Sequence, residues 1–307
     1  MSIFVMMVGV PYSGKSTYSN KLKSEGFKVH SSDNIREELF GNIVTTKEQN
    51  KEVFKTLHKR IKEDLSKGLD VCYDATNISY KRRMGFLQEI KKYNPYTKCV
   101  FMAIPRDILL ERRKHRDRIV SVNIIDKMLK TIYIPQYYEG WDEIEIVRYY
   151  NDNADIEKNL NKLNIEWDIS QDNPHHTLTL RHHCLKAVNN LLEYGIINSE
   201  VLTAMLFHDC GKPFCKQFKN SKGEDTEIAH YYGHENYGAY RFITELSFVD
   251  EDTINSTLKV ANLIQWHMRL FELEHASQKT TDRFIKLVGQ DTFDELTAIH
   301  IADISAK

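Results

Sequence analysis

The sequence lacks the features that mark several large classes of protein. Its five cysteines are an odd number with no CxxC pair, so we expect neither a disulfide framework nor a cysteine-ligated zinc site. It has no apolar run of membrane-spanning length, no internal repeat and no low-complexity tract. The apolar start has no charged leader and runs directly into a glycine-containing loop, which indicates a first β-strand and argues against a signal peptide. We therefore expect a cytoplasmic protein that does not engage a membrane.

Length and charge indicate what the chain could form and bind. With 307 residues, 41% of them hydrophobic and 28% charged, it is long enough for two domains with separate cores. Residues 1–150 carry 27 lysines and arginines against 19 acids, a balance of +8, whereas residues 151–307 carry 15 against 24, a balance of −9. A basic half suits a polyanion such as nucleic acid, and an acidic half suits cations. A chance division between two solvated surfaces would give the same numbers.

The two halves also differ in their patterns of secondary structure. The predicted strands of the first half are residues 3–8, 27–30, 70–73, 98–104 and 143–149. The predicted helices between them are residues 15–25, 47–67, 80–93, 106–115 and 121–132. This alternation predicts an α/β domain with a parallel sheet and helices on both faces. After Asp155 nearly everything has a helical pattern, so we place the junction in the polar segment 151–155 and predict an α/β domain at 1–152 and an all-α domain at 153–307.

A phosphate-binding motif follows the first predicted strand. Residues 9–17 read GVPYSGKST and fit the pattern GxxxxGK(S/T), in the strand–loop–helix context that the motif requires. The glycines let backbone N–H groups converge on phosphate oxygens at a helix N-terminus. Lys15 can then neutralise the β- and γ-phosphates, and Ser16 can hold Mg²⁺. The motif predicts that ATP and Mg²⁺ bind at Gly9, Ser13, Gly14, Lys15, Ser16 and Thr17.

Two charged residues follow the second predicted strand. Asp33 lies at the carboxyl end of that strand, where open parallel sheets bind their ligands. Its carboxylate could accept the proton of an attacking hydroxyl, and Arg36, one turn further on, could bind a phosphate. The alternative is that Ser32 or Asp33 caps a helix beginning at Asn34, and the two roles are compatible.

Basic side chains are concentrated at residues 112–118, where five lysines and arginines fall within seven positions. Such a segment could close over the triphosphate and stabilise the charge that develops during phosphoryl transfer. A solvated helix face with ion pairs between successive turns would contain the same residues. The pattern alone leaves both interpretations open.

The motifs of the first half resemble those of the 5′-hydroxyl polynucleotide kinases of the phage end-healing type. The segments that carry the resemblance are, in order, GVPYSGKST, SSDNIR, YDATN followed by KRR, and LLERRKHRDR. The resemblance implies that Lys15 and Ser16 bind ATP and Mg²⁺. It also implies that Asp33 is the general base and that Arg36 binds the phosphate of the acceptor.

The same resemblance implies that Arg112 and Arg116 are lid arginines on the nucleotide, with Arg116 also acting in catalysis. The sequence departs from the family at two positions. Tyr12 stands where the family often has glycine, and Asn34 follows the proposed base. Neither departure removes a charged group.

Histidines and aspartates are concentrated in the second half. An apolar helical run ends at His208 and Asp209, and Gly211 and Pro213 follow as helix-stop signals. Further histidines stand in NPHHTLTLRHHCL, HYYGHE and QWH, and a late aspartate stands in IADIS. Imidazole and carboxylate groups projected inward by separate helices suit Mn, Fe, Co, Ni or Zn. The alternative is a set of histidines with ordinary hydrogen bonds, which we accept for His115, His275 and His300.

These segments resemble the HD phosphohydrolase superfamily, whose pattern is H…HD…D with further histidines in two-metal members. The resemblance implies that the ligands of a first metal are His183, His208, Asp209 and Asp303. It implies that His234 and His267 bind a second metal, with Asp209 bridging the two. Metal pairs of this kind supply a nucleophile at neutral pH and neutralise a phosphate, which is the chemistry of phosphoester hydrolysis.

Three further assignments concern residues at or near these ligands. We choose His183 over its neighbour His182 because apolar residues then follow at +2, +5 and +8, with His176 seven residues upstream. Lys212 and His230 are candidates for contact with phosphate or for support of the ligands. A surface lysine and a capping histidine are the alternatives.

Together the motifs predict a bifunctional enzyme that heals nucleic-acid ends. The first domain would phosphorylate 5′-hydroxyl ends of RNA or DNA with ATP, and the HD domain would remove a 3′-phosphate or a 2′,3′-cyclic phosphate. A ligase could then join the ends, so we expect a functional link to one. One alternative is a kinase for nucleosides, nucleotides or sugars fused to a nucleotidase. Another is a nucleotide-sensing regulatory protein with an inactive HD domain.

Overall fold

The computed structural model describes residues 1–41, 46–116, 119–149, 153–174, 177–247 and 252–306. The chain divides into two compact units. The first consists of Met1–Ile125 and Pro135–Arg148, and the second of Asp126–Ile134 and Tyr149–Lys307. Residues 151 and 152 of the predicted junction lie outside the described residues, and the boundary between residues 152 and 153 stays a prediction.

The first unit contains a five-stranded parallel sheet in the order β2-β3-β1-β4-β5. Its strands are β1 (Ile3–Val8), β2 (Lys28–Ser31), β3 (Val71–Asp74), β4 (Tyr96–Ala103) and β5 (Glu143–Arg148). The central strand β1 is almost entirely buried, as expected for a parallel strand covered on both faces. The predicted parallel α/β architecture is therefore confirmed.

Helices connect these strands. They are α1 (Lys15–Ser24), α2 (Ser32–Phe40), α3 (Lys47–Ser66), α4 (Tyr80–Ile90), α5 (Arg106–Lys114) and α6 (Val122–Leu129). The division between the units falls within α6, after Ile125. The chain returns to the first unit at Pro135, before β5.

The start of α2 differs from the sequence-based alternative. The helix begins at Ser32, and the Ser31 hydroxyl accepts a hydrogen bond from the Asp33 backbone N–H at 3.3 Å. The hypothesis that Ser32 or Asp33 caps a helix beginning at Asn34 is therefore wrong. Ser31 ends β2 in an extended conformation, and the sequence offered three adjacent candidates for the cap.

A buried ion pair fixes the loop that follows β3. The Arg83 guanidinium contacts the Glu139 carboxylate at 2.7 Å and 2.5 Å, and both side chains are fully buried. Arg83 also donates to the Asn77 carbonyl at 2.9 Å, and the Trp141 indole donates to Glu139 at 3.1 Å. Each charge is thus compensated inside the unit, which is the condition for a buried pair to be tolerated.

We expect Glu139→Ala to lower the free energy of unfolding by about 3–5 kcal/mol, because it leaves the Arg83 charge buried without its partner. Urea denaturation of the full chain measures this. The matched control is Glu38→Ala, which removes an exposed pair with Arg60 and should change stability little. Equal and small effects of both substitutions would contradict the prediction.

The second unit is mainly helical. Its helices are α7 (Asn153–Trp167), α8 (Leu180–Glu193), α9 (Ser199–Phe207), α10 (Lys212–Cys215), α11 (His234–Arg241), α12 (Ile254–Trp266), α13 (Arg269–Leu273), α14 (Gln278–Val288) and α15 (Gln290–Ile304). A short π-helical segment, Phe242–Leu246, follows α11. Among the described residues, no helix combines the length and the apolar character needed to span a membrane.

The prediction of an all-α second half is wrong at one place. Strands β6 (Gln217–Lys219) and β7 (Asp225–His230) form an antiparallel hairpin. The turn between them is held by the Asn220 side chain, which accepts hydrogen bonds from the backbone N–H groups of Lys222 at 2.9 Å and Glu224 at 3.0 Å. Asparagine followed by Gly223 is a turn signal that the helical pattern on either side obscured.

Candidate functional site

The loop between β1 and α1 has the geometry of a phosphate cradle. Gly14 adopts a left-handed conformation (φ 99°) at the N-cap of α1, which favours glycine. Gly9 also has a positive φ (155°), and a Cβ atom there would lie 2.7 Å from the Ser13 hydroxyl oxygen and 3.1 Å from Met102 Cβ, which favours glycine. Residues 15–17 open the helix, where backbone N–H groups are available to an anion.

Lys15 lies inside this loop. Its ammonium group donates to the Val10 carbonyl at 2.8 Å and contacts the Ser13 hydroxyl at 3.5 Å. Burial lowers the pKa of Lys15 to about 8, although the carboxylates of Asp74 and Asp33 act in the opposite direction. The side chain is therefore mostly protonated at neutral pH and close to two acidic residues.

Asp74, in the segment YDATN, is a candidate for which no role was predicted. It ends β3, is buried, and accepts a hydrogen bond from the Ser19 hydroxyl at 3.1 Å. Burial raises the pKa of its carboxyl group, and Lys15 and Ser19 oppose that shift. An aspartate at the end of a strand beside the P-loop strand is where P-loop proteins hold Mg²⁺. Its position after the apolar residues VCY was the available signal.

Asp33 and Arg36 lie together in the first turns of α2. The guanidinium of Arg36 donates to the Asp33 carboxylate at 2.8 Å and to the Asn50 side chain at 2.7 Å, and it lies over the Phe54 ring. Since Asp33 also acts electrostatically on Lys15, this acidic group and the P-loop lysine belong to one electrostatic neighbourhood.

The basic segment contributes one arginine to the P-loop. Arg112 donates to the backbone carbonyls of Tyr12 and Ser13, both at 3.3 Å. Arg116 is exposed, and Arg113 donates to the Val120 carbonyl at 2.7 Å. Residues 117 and 118 of this segment lie outside the described residues.

The backbone conformation at Tyr12 is one that favours glycine, the residue that the kinase family often has at this position. Tyr12 has a left-handed backbone (φ 67°), which is unfavourable for a residue with a side chain. Its hydroxyl group accepts a hydrogen bond from the Val120 backbone N–H at 2.6 Å. The tyrosine thus connects the P-loop to the residues that follow the basic segment.

A second cluster of polar residues lies buried in the helical unit. Its members are His183 on α8, His208 and Asp209 after α9, His234 on α11, His267 after α12, and Asp303 on α15. The structure brings together all six residues of the second half for which the resemblance implied a metal-binding role.

The cluster consists of two triads. In the first, the His183 Nε2 atom lies 3.0 Å from Asp303 Oδ1 and 3.3 Å from His208 Nε2. In the second, His234 Nε2 lies 3.2 Å from both Asp209 Oδ1 and His267 Nε2. The ligand atoms within each triad all lie within 4.8 Å of one another.

Asp209 faces both triads with different oxygens. Its Oδ1 atom is 3.2 Å from His234 Nε2, and its Oδ2 atom is 3.2 Å from His208 Nε2. A carboxylate arranged in this way can bind two cations at once, one through each oxygen.

The backbone fixes the orientation of three of the imidazole rings. The Nδ1 atoms of His208, His234 and His267 each lie 2.6–2.8 Å from the carbonyl oxygen three residues earlier in the chain. Because a carbonyl only accepts hydrogen bonds, Nδ1 carries the proton and the Nε2 lone pair is directed into the cluster. This is the usual support of histidine ligands in metal sites.

The electrostatics of the cluster also suit a cation. Burial alone raises the pKa of Asp209, but His208 and Lys212 hold it well below its ordinary value. Burial and two neighbouring histidines lower the pKa of His267 to about 3. Although burial alone lowers it, contacts with Asp209 and Asp303 raise the pKa of His183 and His208, so a bound cation would displace a proton from these two imidazoles. The ionised Asp209 and the neutral His267 have the protonation states that bind metals, and this donor set fits divalent transition metals.

The other candidates of this region have different surroundings. Lys212 is buried, with its ammonium group 2.6 Å from Asp209 Oδ2 and 2.8 Å from the Gln171 side chain. His230 ends β7 and stacks on Tyr232, so it is not a helix cap. Cys184 was not predicted, yet it forms a third possible group with His208 and Asp209.

Residues 4–135 match the family described as the AAA domain. They form a kinase-like P-loop domain. The match ends before the His/Asp cluster of the second unit, and no curated protein matches the chain.

Several solved structures are weakly similar to about half of this chain. A protein assigned as a kinase from Chloroflexus aurantiacus is 19% identical, with 48% of this chain and 84% of that chain covered and a TM-score of 0.40. A gluconokinase from Sinorhizobium meliloti is 20% identical, with 51% and 87% covered and a TM-score of 0.35. A chain of the Pnkp1/Rnl/Hen1 complex is 18% identical, with 50% of each chain covered and a TM-score of 0.36.

The structure places His183, and not His182, in the cluster. His182 is exposed, and its Nδ1 atom lies 2.8 Å from the Thr179 hydroxyl. The apolar residues at +2, +5 and +8 from His183 were expected to be buried with it. That expectation is wrong at +2, because Leu185 is 42% exposed. The buried face of α8 consists of Leu180, His183, Cys184, Ala187 and Leu191. His176, also used in that choice, lies outside the described residues.

Gly211 serves close packing. The prediction that Gly211 stops a helix is wrong, because its backbone is helical (φ −82°). A Cβ atom on Gly211 would lie 2.1 Å from the His234 carbonyl oxygen. Glycine therefore lets the His208–Asp209 segment approach α11 closely enough for Asp209 to reach His234.

Proposed function

We propose that this chain heals nucleic-acid ends, with a 5′-hydroxyl kinase in its first half and a metal-dependent phosphoesterase in its second. The observation that supports it most is that the two carboxylate oxygens of Asp209 face different groups of buried histidines. The same chain also has a P-loop. Phosphoryl transfer and phosphoester hydrolysis are the chemistries that these two groups of residues suit.

In the kinase, Lys15 would bind the β- and γ-phosphates of ATP, and Ser16 and Asp74 would hold Mg²⁺. The bound ion would supply neutralisation of phosphate charge. Asp33 would accept the proton of the attacking 5′-hydroxyl. Arg36 would then exchange its contact with Asp33 for the phosphate of the acceptor strand. Arg112 and Arg116 are proposed to cover the triphosphate; the contact of Arg112 with the P-loop supports its part in this.

In the phosphoesterase, His183, His208 and Asp303 would hold one divalent ion, His234 and His267 a second, and Asp209 both. Such a pair supplies a nucleophile from water and neutralises the phosphate. Lys212, next to Asp209, would add positive charge for a substrate phosphate. The His230 ring contacts Tyr232, which is not a member of either triad, so we propose no role for His230 in the reaction.

The substrate class follows from the pairing of activities and from charge. Residues 1–150 carry an excess of eight positive charges, which suits a polyanionic strand. One enzyme that phosphorylates a 5′-hydroxyl and removes a 3′-phosphate or 2′,3′-cyclic phosphate prepares both sides of one break. A ligase would consume its product.

The decisive experiment is incubation with an oligonucleotide that has a 5′-hydroxyl and a 3′-phosphate, together with ATP and Mg²⁺ or Mn²⁺. Analysis of both ends should show that the 5′ end has gained a phosphate and that the 3′ end has lost its phosphate. Nucleosides, sugars and a series of strand lengths are the comparison. Equal or faster reaction of nucleosides or sugars would favour the small-molecule kinase. Absence of bound metal and of both reactions would favour the regulatory protein.

Asp33→Asn should lower kinase turnover by about two orders of magnitude while ATP binding is largely kept, because the amide cannot accept the proton. The helix cap is unaffected, since Ser31 provides it. Turnover and ATP affinity of the purified variant measure this. The matched control is Glu37→Gln, an exposed acid on the same helix. Turnover near that of the control would exclude Asp33 as the base.

A further inference from the structure

One segment of the second unit comes from the first half of the sequence. Residues 126–134, here called the strap, comprise the end of α6 and the residues after it. They are flanked on both sides by residues of the first unit, yet they pack with residues 149–307. The motifs gave no indication of this, because the strap precedes the predicted boundary.

The strap packs against the start of α11. A Cβ atom on Gly233 would lie 2.5 Å from the Lys130 carbonyl oxygen, and Gly233 has a left-handed backbone (φ 78°). The Asn236 side chain donates to the same carbonyl at 3.3 Å. Because Gly233 is the N-cap and His234 the first residue of α11, these contacts fix the point from which His234 projects.

The strap also binds the end of α12 through Gln265. The Gln265 amide donates to the Ile132 carbonyl at 2.9 Å and accepts from the Ile134 backbone N–H at 3.0 Å. It further donates to the Asn236 side chain at 2.6 Å. Gln265 is buried, so one side chain connects the strap, α11 and α12, two residues before His267.

A contact between two aromatic rings and a cation–π contact add to this attachment. The Tyr133 ring lies 5.3 Å from that of Trp266, the residue directly before His267. The Lys130 ammonium group lies over the Phe214 ring at 5.1 Å. The other triad has a separate support, because α8 and α15 are joined by the Asn190 side chain, which donates to the Ala302 carbonyl beside Asp303 at 3.0 Å.

We infer that Gln265 is a positioning residue: through its hydrogen bonds the strap holds His234 and His267 in place. The affinity for the second metal ion therefore depends on residues of the N-terminal half of the sequence. This inference rests on the proposed function of the His/Asp cluster as a two-metal site. Binding of the first ion, at His183, His208 and Asp303, should depend much less on Gln265 and the strap. Supporting groups of this kind typically change metal affinity by about 10–100-fold when they are removed.

The test uses the full chain, loaded with Mn²⁺ as the probe. Gln265→Met keeps the volume of the side chain but removes its hydrogen bonds, and Gly233→Ala displaces the strap from the other side. Both variants should keep one tightly bound Mn²⁺ and bind the second about 10–100-fold more weakly. Equilibrium dialysis counts the ions, and electron paramagnetic resonance detects the exchange coupling between neighbouring ions, which should disappear. Gln278→Ala, an exposed glutamine on α14, is the control.

The outcomes separate this inference from the proposed function. Two ions in the wild type, and one tight ion in both variants with folding intact by circular dichroism, would support it. Unchanged binding of both ions in both variants would overturn it while leaving the two-metal site in place. Equal loss of both ions would overturn it as well, because the strap would then have no selective effect. A wild type that binds no Mn²⁺ would overturn the proposed function and the inference together.

Discussion

Lys15→Ala should reduce 5′-phosphorylation by about 100- to 1,000-fold or more, because it removes the positive charge that stabilises the transferring phosphate. The pKa of about 8 leaves Lys15 mostly protonated at neutral pH, and negative phosphates nearby would favour the charged form further. Steady-state kinase assays with a 5′-hydroxyl oligonucleotide measure the loss. Phosphoesterase activity of the same preparation should be retained.

The matched control for this substitution is Lys23→Ala. Lys23 lies on the same helix, is exposed and is in its last turn, so both activities should stay near those of the wild type. If Lys15→Ala abolished phosphoesterase activity as well in a folded protein, the assignment of two separate sites would be wrong. Normal kinase activity in Lys15→Ala would exclude the P-loop as the ATP site.

Asp209→Ala should release at least one metal ion and lower phosphoesterase activity by at least about two orders of magnitude, because Asp209 faces both triads. Metal content per protein and hydrolysis of a 3′-phosphate measure this. Kinase activity should survive, since its Mg²⁺ would be held by ATP and the first unit. The control is Asp225→Ala, an aspartate whose side chain is 87% exposed on β7.

Two neighbouring histidines sharpen this test. His183→Ala should lose metal, whereas His182→Ala should keep it, because His182 is exposed and its ring contacts Thr179. The reverse pattern would contradict the choice of His183. Full metal content and activity in all three variants would exclude the HD assignment. Reduced stability without any effect of chelators on the wild type would mean that these are ordinary core histidines.

Several features of the fold could be predicted because they depend on neighbouring residues. The central strand β1 has the predicted bounds, since an apolar run followed by a glycine-containing loop determines both of its ends. The adjacency of His208 and Asp209 was visible for the same reason. The hairpin at Gln217–His230 was missed because its short strands lie between strongly helical segments, where a local signal is easily outweighed.

Other features depend on segments that are distant in the sequence. The apolar residues before Asp74 indicate the end of a strand, but they do not indicate that Ser19 of α1 donates to its carboxylate or that burial raises its pKa. The helical spacing around His183 suggested a contact face that is wrong at Leu185, because the neighbours that cover α8 are set by tertiary packing. The prediction that Gly211 stops a helix is wrong for the same reason, because the atom that requires glycine belongs to His234.

The sequence by itself determined the parallel α/β architecture of the first half, the phosphate loop and the residue types that could bind metal, since each is a local pattern of side chains. Only the tertiary structure decided that the two oxygens of Asp209 face different triads, that Asp74 contacts the helix after the P-loop, and that residues 126–134 pack with the segments that hold His234 and His267. The physical reason is that metal–ligand and hydrogen-bond geometry act over about 2–3 Å. Distances that short between remote segments are fixed by the packing of whole helices and strands.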